Sequence, residues 1–441
     1  MMQRTITILF LFVFFGCSQM VNGQELLTME QALQIALENN LGIKIAQNNI
    51  QISENSVSKG NAGLLPQVNL NGGIDYNLNS GNIAFVPEVF PRPDLAFSFE
   101  PSNNINASAT ATYTLFDGWA SITNYKVLQS NLNISEMQAR LTIENTLIQV
   151  VNAYYQAAQQ QENVKIAGEQ ITISKDRLER AKTRNEFGGN NTLDVLNAEV
   201  DLNTDSVNLV TNILNFENAK RNLNNLLNRS LTADFLLEER VAFLTDVSLE
   251  DLRDKVLNQN TEVRLANQNL EIAKLDLKSA RSGFYPTVNA SASYLWATSQ
   301  FKAQGTQRST TGTITGGLTV SYPLFEGGRR NIQRQNATIA IENRLLEQQQ
   351  TKELLERDLE IAFANYENSR YILRIEQTNI KSAEANFERS KANFDVGQIN
   401  NTQFREAQFN LANARTRIAN AIYTAKIAEM ELIRLSGDLV N

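Results

Sequence analysis

Apolar residues recur at steps of seven through the last hundred residues of the chain. Leu359, Tyr366, Leu373, Ile380, Phe387 and Phe394 form one row, and Phe404, Leu411, Ile418, Ala425 and Leu432 form another. The same two rows stand 209 residues earlier, as Val150, Ala157, Val164, Ile171 and Leu178, with Asn185 the polar exception, and as Val195, Leu202, Leu209, Phe216 and Leu223. A seven-residue apolar repeat is the seam of a coiled coil, in which helices bend around each other to keep the seam buried. The other positions are rich in Asn, Gln, Glu, Lys and Arg, so the opposite faces stay wet. Gly188-Gly189 separates the first pair of rows and Gly397 the second. The pattern therefore predicts two long antiparallel helical hairpins, at 118–228 and 327–436. At 1.5 Å per residue, the outgoing helix of each would be about 100 Å long.

Upstream of each hairpin the period changes from seven to two. Val68, Leu70, Ile74, Tyr76 and Leu78 alternate with polar residues, as do Ile105, Ala107, Ala109, Ala111, Tyr113 and Leu115. In the second half Val288, Ala290, Ala292, Tyr294 and Trp296 do the same, followed by Ile314, Leu318, Val320, Tyr322 and Leu324. These rows predict strands at 67–78, 105–116, 287–296 and 314–325. Their length suits a strand that crosses a membrane, and Tyr76, Tyr113, Tyr294, Trp296 and Tyr322 near their ends suit an interfacial girdle. An ordinary antiparallel sheet packed on helices has the same alternation. The links within each strand pair, about 79–104 with four prolines and about 297–313, have the composition of exposed outer loops and favour the membrane. Four strands cannot close a barrel, and lipid does not tolerate a bare sheet edge. The membrane reading therefore requires several subunits to pool their strands.

The two halves repeat in order. Leu64-Leu65-Pro66-Gln67-Val68-Asn69 matches Phe284-Tyr285-Pro286-Thr287-Val288-Asn289 at an offset of 220, and Tyr113-Thr114-Leu115-Phe116-Asp117-Gly118 matches Tyr322-Pro323-Leu324-Phe325-Glu326-Gly327 at an offset of 209. Each copy begins with a helix, at 29–62 or 249–283, which Pro66 or Pro286 cannot continue. Two strands follow. Asp117 or Glu326 then opens the long hairpin, with its acid near the helix N-terminus. The repeats span 25–228 and 248–436, with a linker at 229–247.

Composition narrows the chemistry. The 441 residues include no His, and the sole Cys is Cys17. The body thus has no disulfide, no thiolate metal cluster and no cysteine nucleophile, and no metal site or cofactor is expected. A net charge of −7 argues against nucleic acid as a partner. Nothing resembles a catalytic constellation, so an enzyme is not expected. Arg4 followed by the apolar run Thr5–Phe15 reads as a secretory signal, too short to span a membrane. Cleavage before Gln24, removing a signal peptide of residues 1–23, and lipidation of Cys17 are the two processing readings.

The signal, the doubled strand-plus-hairpin order, the Leu-Pro-x-Val strand entry and the Leu-Phe-Asp/Glu-Gly junctions together resemble the TolC family of outer-membrane factors over about residues 25–436. The resemblance implies an α+β membrane protein of the cell outer membrane. Long antiparallel helices would form a coiled-coil barrel in the periplasm, and a transmembrane β-barrel would be completed by a homotrimer with four strands per subunit. It also implies a passive efflux conduit, with outer-membrane lipid around it, a periplasmic adaptor (membrane fusion) protein, and an inner-membrane RND or ABC transporter. At the second hairpin tip Val396-Gly397 matches the family turn. The family's two pore-narrowing acids fall on Gln403, a departure, and on Glu406; the first-copy acid falls on Asp194. A basic gate-locking residue of some members falls on Ile399, so that latch is not expected. Three copies of Glu406 would ring the pore and favour cations. Gly188, Gly189, Gly397 and Gln398 are the implied adaptor contacts. Solvated helix-start carboxylates and simple turn chemistry account for the same residues without a pore. The outer channel of a type I protein-secretion system fits the sequence equally, and a non-pore periplasmic coiled-coil scaffold fits the helices alone.

Overall fold

The computed structural model of the chain describes residues 25–84, 93, 95–188, 192–244, 247–301 and 306–439. The expected signal segment with Cys17, and Gly189 at the first tip, lie outside the described residues. In chain order the elements are β1 (Glu25–Leu27), α1 (Met29–Asn39), α2 (Leu41–Ser56), β2 (Gln67–Ile83), β3 (Leu95–Phe116), α3 (Ala120–Glu186), α4 (Thr192–Leu226), β4 (Phe235–Leu237), α5 (Leu249–Gln259), α6 (Thr261–Ser282), β5 (Thr287–Phe301), β6 (Thr306–Ser321), α7 (Arg329–Asp395) and α8 (Asn401–Ser436). The chain divides into two compact units. One holds the described residues up to Ile35, with Asn152–Ala242 and Glu376–Tyr423; the other holds Ala36–Val151, Phe243–Ile375 and the described residues from Thr424 onward.

The second unit carries the sheet, antiparallel throughout in the order β2-β3-β5-β6. The expected loop at 79–104 is largely strand: β2 continues to Ile83 and β3 starts at Leu95, paired Ile83 to Leu95. Pro101 is accommodated opposite Leu78, and a bulge follows at Asn79/Gly81. Conversely, the strand expected at 314–325 begins at Thr306 and stops at Ser321, before Pro323.

The single helices expected at 29–62 and 249–283 are each two helices, broken at residues 220 apart. Asn40 Oδ1 accepts hydrogen bonds from the N–H groups of Gly42 (2.8 Å) and Ile43 (3.3 Å), and Asn260 Oδ1 accepts from Glu262 N–H (2.8 Å). Both residues have extended backbone, so each ends one helix and caps the next. Asn260 Nδ2 also donates to Leu435 O (2.9 Å), which ties the break to α8. Val256, Val263, Leu355, Leu359, Leu432 and Leu435 pack around this point as one core.

The first unit holds the β1–β4 ladder and the tip halves of the long helices. The expected 229–247 linker contains β4, which pairs in parallel with β1. Gln161 accepts from Leu237 N–H (2.8 Å) and donates to Leu237 O (2.9 Å), and the Tyr154 hydroxyl donates to Leu27 O (2.9 Å). Burial pushes the Tyr154 phenol up to about 12, although the Glu238 N–H that it accepts works in the other direction. The second-copy seams are largely buried, with Leu359, Leu373, Phe387, Phe394, Phe404, Leu411 and Leu432 each almost wholly shielded, whereas Val164, Ile171, Leu178, Val195, Leu202 and Leu209 of the first copy are half-buried.

Candidate channel lining and aperture

The sheet separates side chains by kind. Register sets Leu70 beside Ala109, Tyr294 and Ile314, and sets Ile74 beside Ile105. The facing rows are Asn69, Thr110, Ser293 and Thr315, then Asn71 beside Ser108. One face is thus apolar and the other is amide and hydroxyl. Neither is covered: Leu70, Ile74 and Ile314 are 82%, 79% and 83% exposed, and the polar residues of β2 and β6 are exposed as well. An apolar sheet face that no helix among the described residues covers is the kind of surface that a membrane barrel turns to lipid. No helix among the described residues is long and apolar enough to cross a membrane.

The second hairpin tip is built by local chemistry. Gly397 has φ +78°, and Gln398 N–H donates to Asn393 O (2.8 Å), closing α7 with the left-handed turn that glycine permits. Asn400 Oδ1 accepts from Gln403 N–H (2.9 Å), and Gln403 Oε1 accepts from Asn400 N–H (3.1 Å). This reciprocal box opens α8 and commits the Gln403 side chain to capping. One turn on, Glu406 is exposed and has no hydrogen bond or ion pair among the described residues. At the first tip Gly188 has φ +74° and Phe187 is exposed. Asp194, in the first turn of α4, accepts a bond from Asn401 Nδ2 through its carbonyl (3.3 Å), so the starts of α4 and α8 meet. Val396 and Gln398 are exposed at the second turn.

A polar clamp that sequence reasoning missed lies next to Glu406. Arg405 donates two hydrogen bonds to Asp205 (2.6 and 2.7 Å), which also accepts the Ser174 hydroxyl (2.5 Å). Arg177 is fully buried, pairs with Asp201, and donates to Gln408 Oε1 (3.2 Å). Gln408 Nε2 returns to Ser174 Oγ (2.9 Å). Burial alone would depress the Arg405 guanidinium, but its bonds to Asp205 outweigh burial and hold it above its ordinary value. The clamp joins α3, α4 and α8. It has no second copy, because Asp205 corresponds to Ala414 and Arg405 to Leu196. The only signal in the sequence was this failure of the repeat. Phe404 stacks on Phe394 (4.6 Å between centroids) and near Phe387 (5.7 Å), fixing α8 to α7 on its other side. Among the described residues no cluster of acidic or thiol side chains could hold a metal ion.

Comparison with known proteins agrees with this geometry. A family model described as outer membrane efflux protein matches residues 32–229 and 252–438. The outer membrane protein TolC of Vibrio cholerae is 22% identical over 389 residues, covering 87% of this chain and 84% of its own. The alkaline protease secretion protein AprF of Pseudomonas aeruginosa is 23% identical over 70% of this chain and 63% of its own. Among solved structures, the Campylobacter jejuni CmeC outer membrane channel shares the fold with a TM-score of 0.74, at 17% identity over 93% of this chain and 86% of that one. The family is one of channel components rather than of enzymes. With both repeats matched across most of its length, the chain belongs to the outer membrane efflux protein family and is an outer-membrane channel for efflux.

Proposed function

We propose that three copies of the chain pool their sheets into one twelve-stranded barrel across the outer membrane, and that their helices form a periplasmic conduit. An adaptor protein and an inner-membrane RND or ABC pump would feed it. The observation that carries this reading is the four-stranded sheet with two uncovered faces and two open edges, at β2 and β6. Four strands are half the number that small barrels need, and an unpaired edge in hydrocarbon costs several kcal/mol per polar group, ~2–7 each by transfer estimates. The count of three follows the family resemblance. In this arrangement Glu406 forms the aperture ring: it is exposed, unpaired among the described residues, and carried on a helix clamped through its neighbour Arg405. Asp194 lies near the same tip, Gln403 serves the helix start, and the Gly188 and Gly397-Gln398 turns offer the adaptor its contact.

Light scattering in detergent should give three chains per particle; a single chain would refute the pooled barrel. A strain lacking the chain should become sensitive to dyes, detergents or antibiotics. A protein-secretion role is the second reading, favoured by the likeness to AprF. A normal sensitivity profile with a secreted protein missing would move the assignment there.

A further inference from the structure

Three helix faces in the first unit converge on a polar groove. On α4, Thr204, Asn208, Thr211 and Asn212 recur at helical spacing, and on α8 so do Arg405, Phe409, Asn413 and Thr416. On α3, Asn163 and Gln170 flank the buried pair Ile166 and Ala167. Together these residues line one cavity of about 310 Å³. Its α8 wall, from Arg405 to Thr416, rises ~17 Å at 1.5 Å per residue. Asn and Thr are mediocre helix formers, and a helix face turned toward neighbouring helices is ordinarily apolar. The second copy does not repeat this chemistry: at the offset of 209, Asn163, Asn208 and Asn212 correspond to Ile372, Arg417 and Ala421.

The charges of the groove cancel, while its neutral polar groups are uncommitted. Among the described residues that line it, Asp205 and Arg405 carry charge, and they are bonded to each other. Asn208, Asn212 and Asn413 have no side-chain hydrogen bond among the described residues, and Asn163 Oδ1 is buried without a partner. Thr204 and Thr211 donate their hydroxyls to Val200 O and Val207 O (2.9 Å each), which leaves their oxygen lone pairs to accept. Each amide offers a donor and an acceptor side by side, the pattern that two adjacent hydroxyls satisfy. The ring of Phe409 is 56% exposed at the groove, and Ile166, Ala167 and Ala412 add apolar surface to it.

We propose that this groove between α3, α4 and α8 binds a neutral saccharide. An ion finds no unpaired charge there, and a wholly apolar ligand would strand the amides without water, at a cost for each group. A sugar ring meets both demands. Its hydroxyls bond the amides of Asn208, Asn212 and Asn413, and its C–H face lies on Phe409. Ligand pockets run from ~300 to 1,000 Å³, so this one sits at the small end and suits a mono- or disaccharide unit rather than a drug-sized amphiphile. A free oligosaccharide and a glycan strand of the cell envelope share this chemistry. The site is complete within one chain, so it does not depend on how many copies form the channel.

Saturation-transfer NMR on the full-length protein, in an amine-oxide detergent that carries no sugar, tests the site with maltose and N,N′-diacetylchitobiose as probes. Magnetisation should pass to the ring protons of at least one of them, and raising the salt should leave binding unchanged, because a neutral ligand has no charge to screen. Phe409 and Asn208 are exposed, so Phe409→Ala and Asn208→Leu keep the fold. Each should weaken binding about tenfold, or ~1.4 kcal/mol. Retention of the protein on insoluble cell-wall sacculi, released by the bound sugar, assigns the ligand as a glycan strand; binding of the soluble sugar without retention assigns a free saccharide. No transfer to either probe, equal binding by the unmodified chain and both variants, or binding abolished by salt would each overturn the proposal.

Discussion

Replacing Arg405 with Met should loosen the N-terminal end of α8 without touching the sheet. The Asp205 side chain accepts three hydrogen bonds, two from Arg405 and one from Ser174, and is only 8% exposed. Removing the guanidinium leaves a buried carboxylate with one hydroxyl partner. Breaking a buried pair from one side costs about 3–5 kcal/mol. The Arg177–Asp201 pair beside it remains and softens the loss, so the lower end of that range applies, about 3 kcal/mol. At ~1.4 kcal/mol per decade that is roughly a hundredfold rise in local opening. Amide hydrogen exchange read by peptide should show this acceleration over the first turns of α8 and over α3 around Ser174, with β2–β6 unchanged. The double variant Arg405→Met with Asp205→Leu should recover most of the protection, because an apolar replacement of both partners is close to neutral. Unchanged exchange in the single variant, or a double variant looser than the single, would refute the idea that this pair anchors α8.

Three more outcomes follow from the same structure. Phe404→Ala removes the ring stacked between Phe387 and Phe394 and should cost about 3–5 kcal/mol, seen as a large drop in the urea midpoint of the hairpin signal. Glu406→Gln should reduce the cation preference of the reconstituted channel, measured as a reversal potential across a KCl gradient, while Gln403→Ala should leave that potential unchanged and slightly weaken the start of α8. Tyr154 binds its proton more tightly folded than unfolded, so its stabilisation is complete below pH 10 and is lost as pH rises through about 12. Alkaline melting curves should fall in that window, and Tyr154→Phe should flatten the fall while lowering stability at neutral pH by about 1 kcal/mol.

The long hairpins were legible because a seven-residue seam persists over scores of residues in two copies, and its apolar positions are buried or half-buried. The strands were legible by alternation, but their ends were not. Gly, Asn and Ser at 79–82 read as loop, yet cross-strand pairing carries them to Ile83. The break at Asn260 escaped because its flanking segments are helix formers without Gly or Pro, and the one at Asn40 because Gly42 is the single breaker beside it, although Asn-x-x at matched positions of the repeat was a visible capping signal. In the sequence Glu326 stands at a helix start as Asp117 does. Asp117 does accept from Ser121 N–H (2.8 Å), whereas Glu326 pairs with the side chains of Arg329 and Arg330. The clamp was illegible for a deeper reason: its members come from three helices far apart in sequence, and only packing brings Ser174, Asp205 and Arg405 together.

The central claim, that this chain builds a channel through the outer membrane, is tested most directly by conductance. Purified full-length protein added to a planar lipid bilayer should produce discrete current steps of one uniform size, each the arrival of one assembled channel. A protein that associates with the bilayer yet gives no steps, or only irregular leakage, would contradict the account.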